Sequence, residues 1–248
     1  MICKVKLWAD GGIFVRKWLL GLCLLLFLDT QTAGHLREKT SLQDLRDRGI
    51  PTRMLERLEI PAEEIRLYGI FWEDLQYFPA AGRKEVQGQQ FFFENSWHAR
   101  RTFQGERLHE GCDIFGREEK SGYYPILSMT DGIVEKVGWL PLGGYRIGIR
   151  SPGGGYFYYA HLSSYAREFQ TGEQIKAGEV LGFLGDTGYG EEGTAGKFVP
   201  HLHLGIYVRT QTEEEHALNP YPVLVFTEKA EKIFSIKKKK YAILYGYS

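Results

Sequence analysis

The segment Pro200–Ile206, PHLHLGI, alternates imidazole and aliphatic side chains. A strand sends successive side chains to opposite faces, so His201 and His203 project together while Leu202, Leu204 and Ile206 pack on the other side. That pattern predicts a sheet with one buried face and one face carrying imidazoles. Around it, Gly132–Val137, Tyr145–Arg150, Tyr156–His161 and Val180–Leu184 are short β-branched or aromatic runs, separated by glycine-rich turns such as Ser151–Gly155. Connections this short predict mostly antiparallel pairing. On the strand ending at His161, the same alternation groups Phe157, Tyr159 and His161 on one face, as aromatic walls of a groove.

Two further segments carry chemistry, His109-Glu110-Gly111-Cys112-Asp113 and Tyr158–Ser164. His109 and Asp113 sit four apart, with Gly111 between them to permit a tight approach. Two histidines plus one carboxylate is a zinc ligand set that leaves one position open, as a catalytic site requires. The spacing alone does not say whether His201 or His203 ligates. The segment begins like the zinc helix HExxH, but the second histidine is missing and Gly111 is a poor helix residue, which rejects that helix. Glu110, in an extended stretch, points away from His109 and Asp113. His35, His98 and His216 carry no assigned role. The long loop Gly185–Lys197 is no phosphate-binding loop, because Phe198 follows Gly196-Lys197; it is expected to form a groove wall.

Taken in chain order, HxxxD (His109, Asp113), a histidine in an aromatic strand ending HLS (His161-Leu162-Ser163) and HxH (His201, His203) resemble the M23 (lysostaphin-like, LytM-type) peptidoglycan endopeptidases. The resemblance runs from about Phe91 to Leu224 and takes in Gly132-Ile133-Val134, Gly178-Glu179 and Gly185–Gly188. It implies a mainly β fold, an antiparallel sheet groove of the M23/LytM type with a small helical N-terminal lead-in. It further implies that His109, Asp113 and His203 hold Zn2+, and that His161 and His201 are unligated catalytic residues. One of these would act on the water and the other would donate to the oxyanion. The implied activity is zinc-dependent hydrolysis of peptide bonds in stem peptides or cross-bridges of bacterial peptidoglycan. A rival from another class is a non-catalytic scaffold that activates other wall hydrolases; such relatives typically lack a ligand, and here none is missing. Cys112 departs from the family pattern, where a small polar residue is usual, and its side chain is read as buried filler facing away from Asp113.

At 248 residues the chain has room for one ordinary domain plus flanking pieces, and 43% hydrophobic residues suffice for a core. The formal net charge of +0 gives no basic field for nucleic acid. Lys4, Lys6, Arg16 and Lys17 precede the apolar run Trp18–Leu28. About ten apolar residues suit a signal-peptide core better than a membrane span of about 20. Residues 1–34 are therefore expected to be a signal peptide or a short membrane anchor, a possible membrane tether, with the rest extracytoplasmic. Residues 35–90 are expected to be a helical lead-in, 91–225 the peptidase domain and 226–248 a basic C-terminal tail around Lys237–Lys240. In the lead-in, Ser41 is read as a helix cap, and Pro51–Leu58 and Pro61–Tyr68 as further short helices. Val223–Phe226 is expected to be a last strand. Cys3 and Cys23 lie in the targeting segment, which leaves Cys112 without an intrachain partner.

Overall fold

The computed structural model describes residues 41–229 except 104; the expected targeting segment, residues 1–34, and the part of the expected tail from 230 onward lie outside the described residues. The lead-in forms three short helices, α1 (Leu42–Asp47), α2 (Thr52–Arg57) and α3 (Ala62–Tyr68). Ser41 caps α1 through a reciprocal box: its hydroxyl accepts from the Asp44 amide at 3.1 Å, and the Ser41 amide donates to Asp44 Oδ2 at 2.9 Å. Pro51 and Pro61 stand at the N-caps of α2 and α3, where the missing N–H costs nothing.

The main sheet is entirely antiparallel. Its strands are β1 (Phe91–Phe93), β2 (Cys112–Gly116), β3 (Gly132–Leu140), β4 (Gly144–Arg150), β5 (Tyr156–Leu162), β6 (Gln174–Ile175), β7 (His201–Val208) and β8 (His216–Leu218). Their order across the sheet is β1-β2-β7-β5-β4-β3-β6, with β8 also paired to β7. A smaller sheet joins Pro125–Leu127, Val180–Phe183 and Ser164–Tyr165. One face of the main sheet is dry: Ile147, Ile149, Phe157, Tyr159, Leu202, Leu204 and Ile206 are buried in a cluster that also takes in Ile126 and Leu181 of the small sheet. The lead-in closes this same core. Phe71 meets Phe157 edge-on at 5.4 Å, Trp72 lies 5.0 Å from Phe226, and the Tyr68 hydroxyl donates to the Asn219 carbonyl at 2.7 Å. It therefore braces the sheet from behind, leaving the opposite face to the imidazoles.

Two local expectations need correction. Residues 221–229 are helical, so Val223–Phe226 is not a strand. Asn219 Oδ1 accepts from the Tyr221 amide at 3.0 Å and Pro220 follows it, an arrangement that starts a helix. A short apolar run suits either element, and the cap decided it. The second correction concerns β5. Phe157 and Tyr159 face the core, whereas His161 faces the groove with Tyr158. The cause is a bulge: Ile147 pairs with Tyr159 but Tyr145 pairs with Leu162, so β5 spends one more residue than β4. His161 absorbs the irregularity with φ of 61°.

Burying Leu202, Leu204 and Ile206 contributes about 5–8 kcal/mol in all, which makes the dry face of β7 a main anchor of the site strand. Leu204→Ala is expected to lower unfolding free energy by about 2–5 kcal/mol in urea titration. A loss under about 1 kcal/mol would mean that β7 is not held from behind.

Candidate active site

The sheet register brings distant segments together. His203 on β7 pairs directly with Asp113 on β2, and His201 pairs with Phe115. Directly opposed residues share a face, so Asp113, His203 and His201 line one groove. His109 enters from the turn before β2, held by amide contacts with Ala99 and His98. Three atoms converge: His109 Nε2 lies 3.0 Å from His203 Nδ1, and Asp113 Oδ1 lies 3.2 Å and 3.1 Å from them respectively. This is the group among the described residues that could hold a metal ion. Gly111 makes the convergence possible, since a Cβ there would stand 2.3 Å from His203 Cε1.

Neighbours fix each ring. His109 Nδ1 faces the Ser96 carbonyl at 3.1 Å, which favours the proton on Nδ1 and leaves Nε2 free to point at the cluster. Arg101 also comes within 3.1 Å of that nitrogen, but its real partner is Asp113 Oδ2 at 2.7 Å, because two donors cannot bond each other. Burial pushes the Asp113 carboxyl up, yet hydrogen bonds with His109 and His203 outweigh it and hold the group well below the usual carboxylate range. Asp113 is therefore an anion at neutral pH.

His161 and His201 stand beside this cluster, their ring centroids 4.8 Å apart. His161 donates its Nδ1 proton to the Thr187 carbonyl at 2.8 Å, and His201 donates to the Val199 carbonyl at 2.8 Å. Each therefore leaves Nε2 as a lone-pair site. Burial, aided by the neighbouring imidazoles, brings the His161 ring down to about 3, and burial also lowers His201 against the pull of Asp113. Both rings are neutral acceptors at pH 7.

The rim comes from loops. Tyr189 and Phe198 flank His161, and Tyr189 stacks at 4.3 Å on Phe103, in the turn of a small hairpin that pairs Arg100–Arg101 with Arg107–Leu108, so residues of and beside the Gly185–Lys197 loop do form a wall. Leu108, Phe115 and Tyr158 complete the groove, whose accessible volume is about 460 Å³. No residue of 41–90 lines it. Glu110 sits exposed at the rim. Cys112 is fully buried behind the sheet, its thiol pushed up to about 12 by burial and 3.3 Å from the Glu94 carbonyl, so it faces away from the cluster. Sequence reasoning missed Arg101, Ser96, Thr187 and Tyr158, whose contacts depend on tertiary folding; only the alternation around Tyr158 offered a signal, and the bulge disguised it.

An antiparallel sheet carrying two histidines and an aspartate, with two further imidazoles alongside, marks a hydrolase-like groove. The chain belongs to peptidase family M23, whose model matches residues 107–220. An L-Ala–D-Glu endopeptidase of Bacillus subtilis is 38% identical over 181 residues, covering 69% of this chain and 52% of the relative. The chain thus spans about half the length of that curated relative. Lysostaphin of Staphylococcus simulans is 31% identical over 119 residues, which is 47% of this chain and 21% of lysostaphin. A crystal structure from Ruminococcus gnavus, described as that of a candidate glycyl-glycine endopeptidase lytM, is 42% identical and superposes with a TM-score of 0.60 over 72% of each chain.

Gly111→Ala should displace the His203 ring while leaving the core intact. Its expected signature is metal affinity reduced by at least about tenfold in a competitive chelator titration, with a near-native circular dichroism spectrum. Unchanged affinity would show that His203 does not need its present position.

Proposed function

We propose that this chain is a zinc-dependent endopeptidase that hydrolyses peptide bonds in bacterial peptidoglycan, in stem peptides or cross-bridges. The observation that carries the reading is the triangle of His109 Nε2, Asp113 Oδ1 and His203 Nδ1, with edges of 3.0–3.2 Å, open toward a groove that holds two neutral imidazoles. Tetrahedral zinc with bonds of about 2.0–2.1 Å wants ligand atoms about 3.3 Å apart, so the residues present fit it. Bound there, zinc would supply a Lewis acid and a water acidified to near neutrality.

The chain's own groups supply the proton handling. His161 and His201 offer Nε2 lone pairs on one side of the triangle, each ring locked by its carbonyl. One accepts the proton of the attacking water at Nε2 and would pass it to the leaving amine; the other would take up a proton from solvent at Nε2 as the oxyanion develops and donate a hydrogen bond to it. Arg101 neutralises the outer oxygen of Asp113 and keeps Oδ1 turned inward. Residues 91–225 are taken as the peptidase domain and 35–90 as a lead-in, whose described residues 41–90 pack against the core of the sheet and do not line the groove. Extracytoplasmic placement, by secretion or a tether, rests on the basic and apolar pattern of residues 1–34.

Purified protein should release new amino termini from sacculi, with release blocked by a chelator and restored by zinc. His161→Ala is expected to retain about one zinc per chain and lose turnover by at least about 100-fold. His203→Ala should lose the zinc. Zinc lost from His161→Ala but retained by His203→Ala would overturn the ligand assignment, and zinc-loaded protein that cleaves no sacculi would favour the scaffold.

A further inference from the structure

We infer that Tyr158 is a substrate-positioning residue, whose phenol hydroxyl donates a hydrogen bond to a main-chain carbonyl of the bound peptide next to the cleaved bond. The inference rests on the peptidase reading above and assigns a further contact within the same groove.

Tyr158 lies on β5 and lines the groove. His203 has Asp113 opposite it on the β2 side, whereas Tyr158 stands on its β5 side, paired with Gly205 two residues along β7. The Tyr158 and His203 rings meet edge to face with centroids 6.0 Å apart. Gly205 has no side chain to lay over the phenol. A Cβ there would stand 2.7 Å from Tyr207 Cε2, so the Tyr207 ring takes up that space, and its own hydroxyl donates to the Glu110 carbonyl at 3.4 Å.

The Tyr158 hydroxyl reaches the turn between β3 and β4, where a Cβ at Gly143 would stand 2.2 Å from it. Gly143 makes room for the hydroxyl but does not bond it, because the Gly143 carbonyl accepts from the His161 amide at 2.8 Å. The hydroxyl bonds to none of the described residues and is still not sealed from solvent. Neighbouring tyrosines spend theirs inside the fold: Tyr159 accepts from the Met129 amide at 2.9 Å, and Tyr165 donates to the Arg146 carbonyl at 2.8 Å. Burial pushes the Tyr158 phenol up to about 12, so it is a donor at neutral pH. A phenol body packed into the sheet with its polar tip left open suits an acceptor that arrives with the ligand.

A peptide offers such an acceptor at every residue, its main-chain carbonyl. The cluster of His109, Asp113 and His203 lies on one side of the His203 ring and Tyr158 on the other. Strands stand about 4.8 Å apart, and an extended peptide advances about 3.4 Å per residue. A peptide that presents its scissile carbonyl to the cluster and runs across the sheet toward β5 therefore brings a neighbouring carbonyl to the Tyr158 hydroxyl. A main-chain contact fixes the register of the peptide whatever its side chains are.

The test compares Tyr158→Phe, Gly143→Ala and the double variant with the wild type, each as the zinc-loaded full chain. Turnover is measured on purified sacculi, and apparent dissociation constants on soluble muropeptides released from sacculi by a glycan-cutting enzyme. Tyr158→Phe should keep its zinc and its melting temperature, since the ring still packs on His203. The contact is made both before and during the reaction, so its loss should raise KM by about five- to tenfold and leave kcat within about twofold. The muropeptide dissociation constant should rise by the same factor. The Gly143 backbone does not need a positive φ, so alanine there disturbs the hydroxyl without straining the turn. Gly143→Ala should match Tyr158→Phe in its effect. Added to Tyr158→Phe it should cost less than about twofold more, because the new Cβ would then meet only the ring carbon Cζ at 3.5 Å. Unchanged KM and dissociation constant in Tyr158→Phe, a loss confined to kcat, or a Gly143→Ala loss that adds in full to that of Tyr158→Phe overturns the inference. Muropeptide affinity that depends on Tyr158, with no sacculi cleaved by the wild type, would sink the peptidase reading and leave the contact standing.

Discussion

The pairing of His203 with Asp113 across β7 and β2 is the contact on which the site depends. Every other element can be read as support for that register. A slip of one residue would turn His201 and His203 toward the core and Leu202 and Leu204 toward the groove. The apolar face of β7 prevents this, and the lead-in seals that face by placing Phe71 on Phe157. Gly111 then lets the His203 ring approach the β2 turn more closely than any side chain would allow.

The second constraint is irregular backbone. Regular alternation would bury His161 with Tyr159. A bulge opposite Tyr145–Ile147 and a positive φ at His161 bring its ring to the imidazole cluster instead. Left-handed backbone at a non-glycine residue costs about 1–3 kcal/mol, which the Thr187 carbonyl contact and the enclosing Tyr189 and Phe198 rings help to offset. Thr187 is itself held, donating to the Leu162 carbonyl at 2.7 Å. The imidazole is thereby fixed in one tautomer before any substrate arrives.

Much of this was legible in the sequence, for identifiable reasons. Alternation of His and Leu at period two fixes a strand and its faces, and the residue types of HxxxD and HxH limit what the polar face can hold. The antiparallel sheet and the short capped helices followed from the same kind of local rule. What escaped depended on partners far along the chain. Arg101 acquires meaning only once β2 folds back beside the hairpin that carries it, and no spacing announces Tyr158 as a groove residue when a bulge lies two positions on. Val223–Phe226 differs in kind, because the helix start at Asn219-Pro220 is local and outweighs the strand-like apolar run.

The assignment of His109, Asp113 and His203, with His161 and His201 left free, is tested most directly by X-ray absorption at the zinc edge of the loaded protein. The account predicts a first shell of two imidazole nitrogens and two oxygens, one of the oxygens from Asp113, at about 2.0–2.2 Å. A shell of three or four imidazoles, or a sulfur at about 2.3 Å from Cys112, would contradict it.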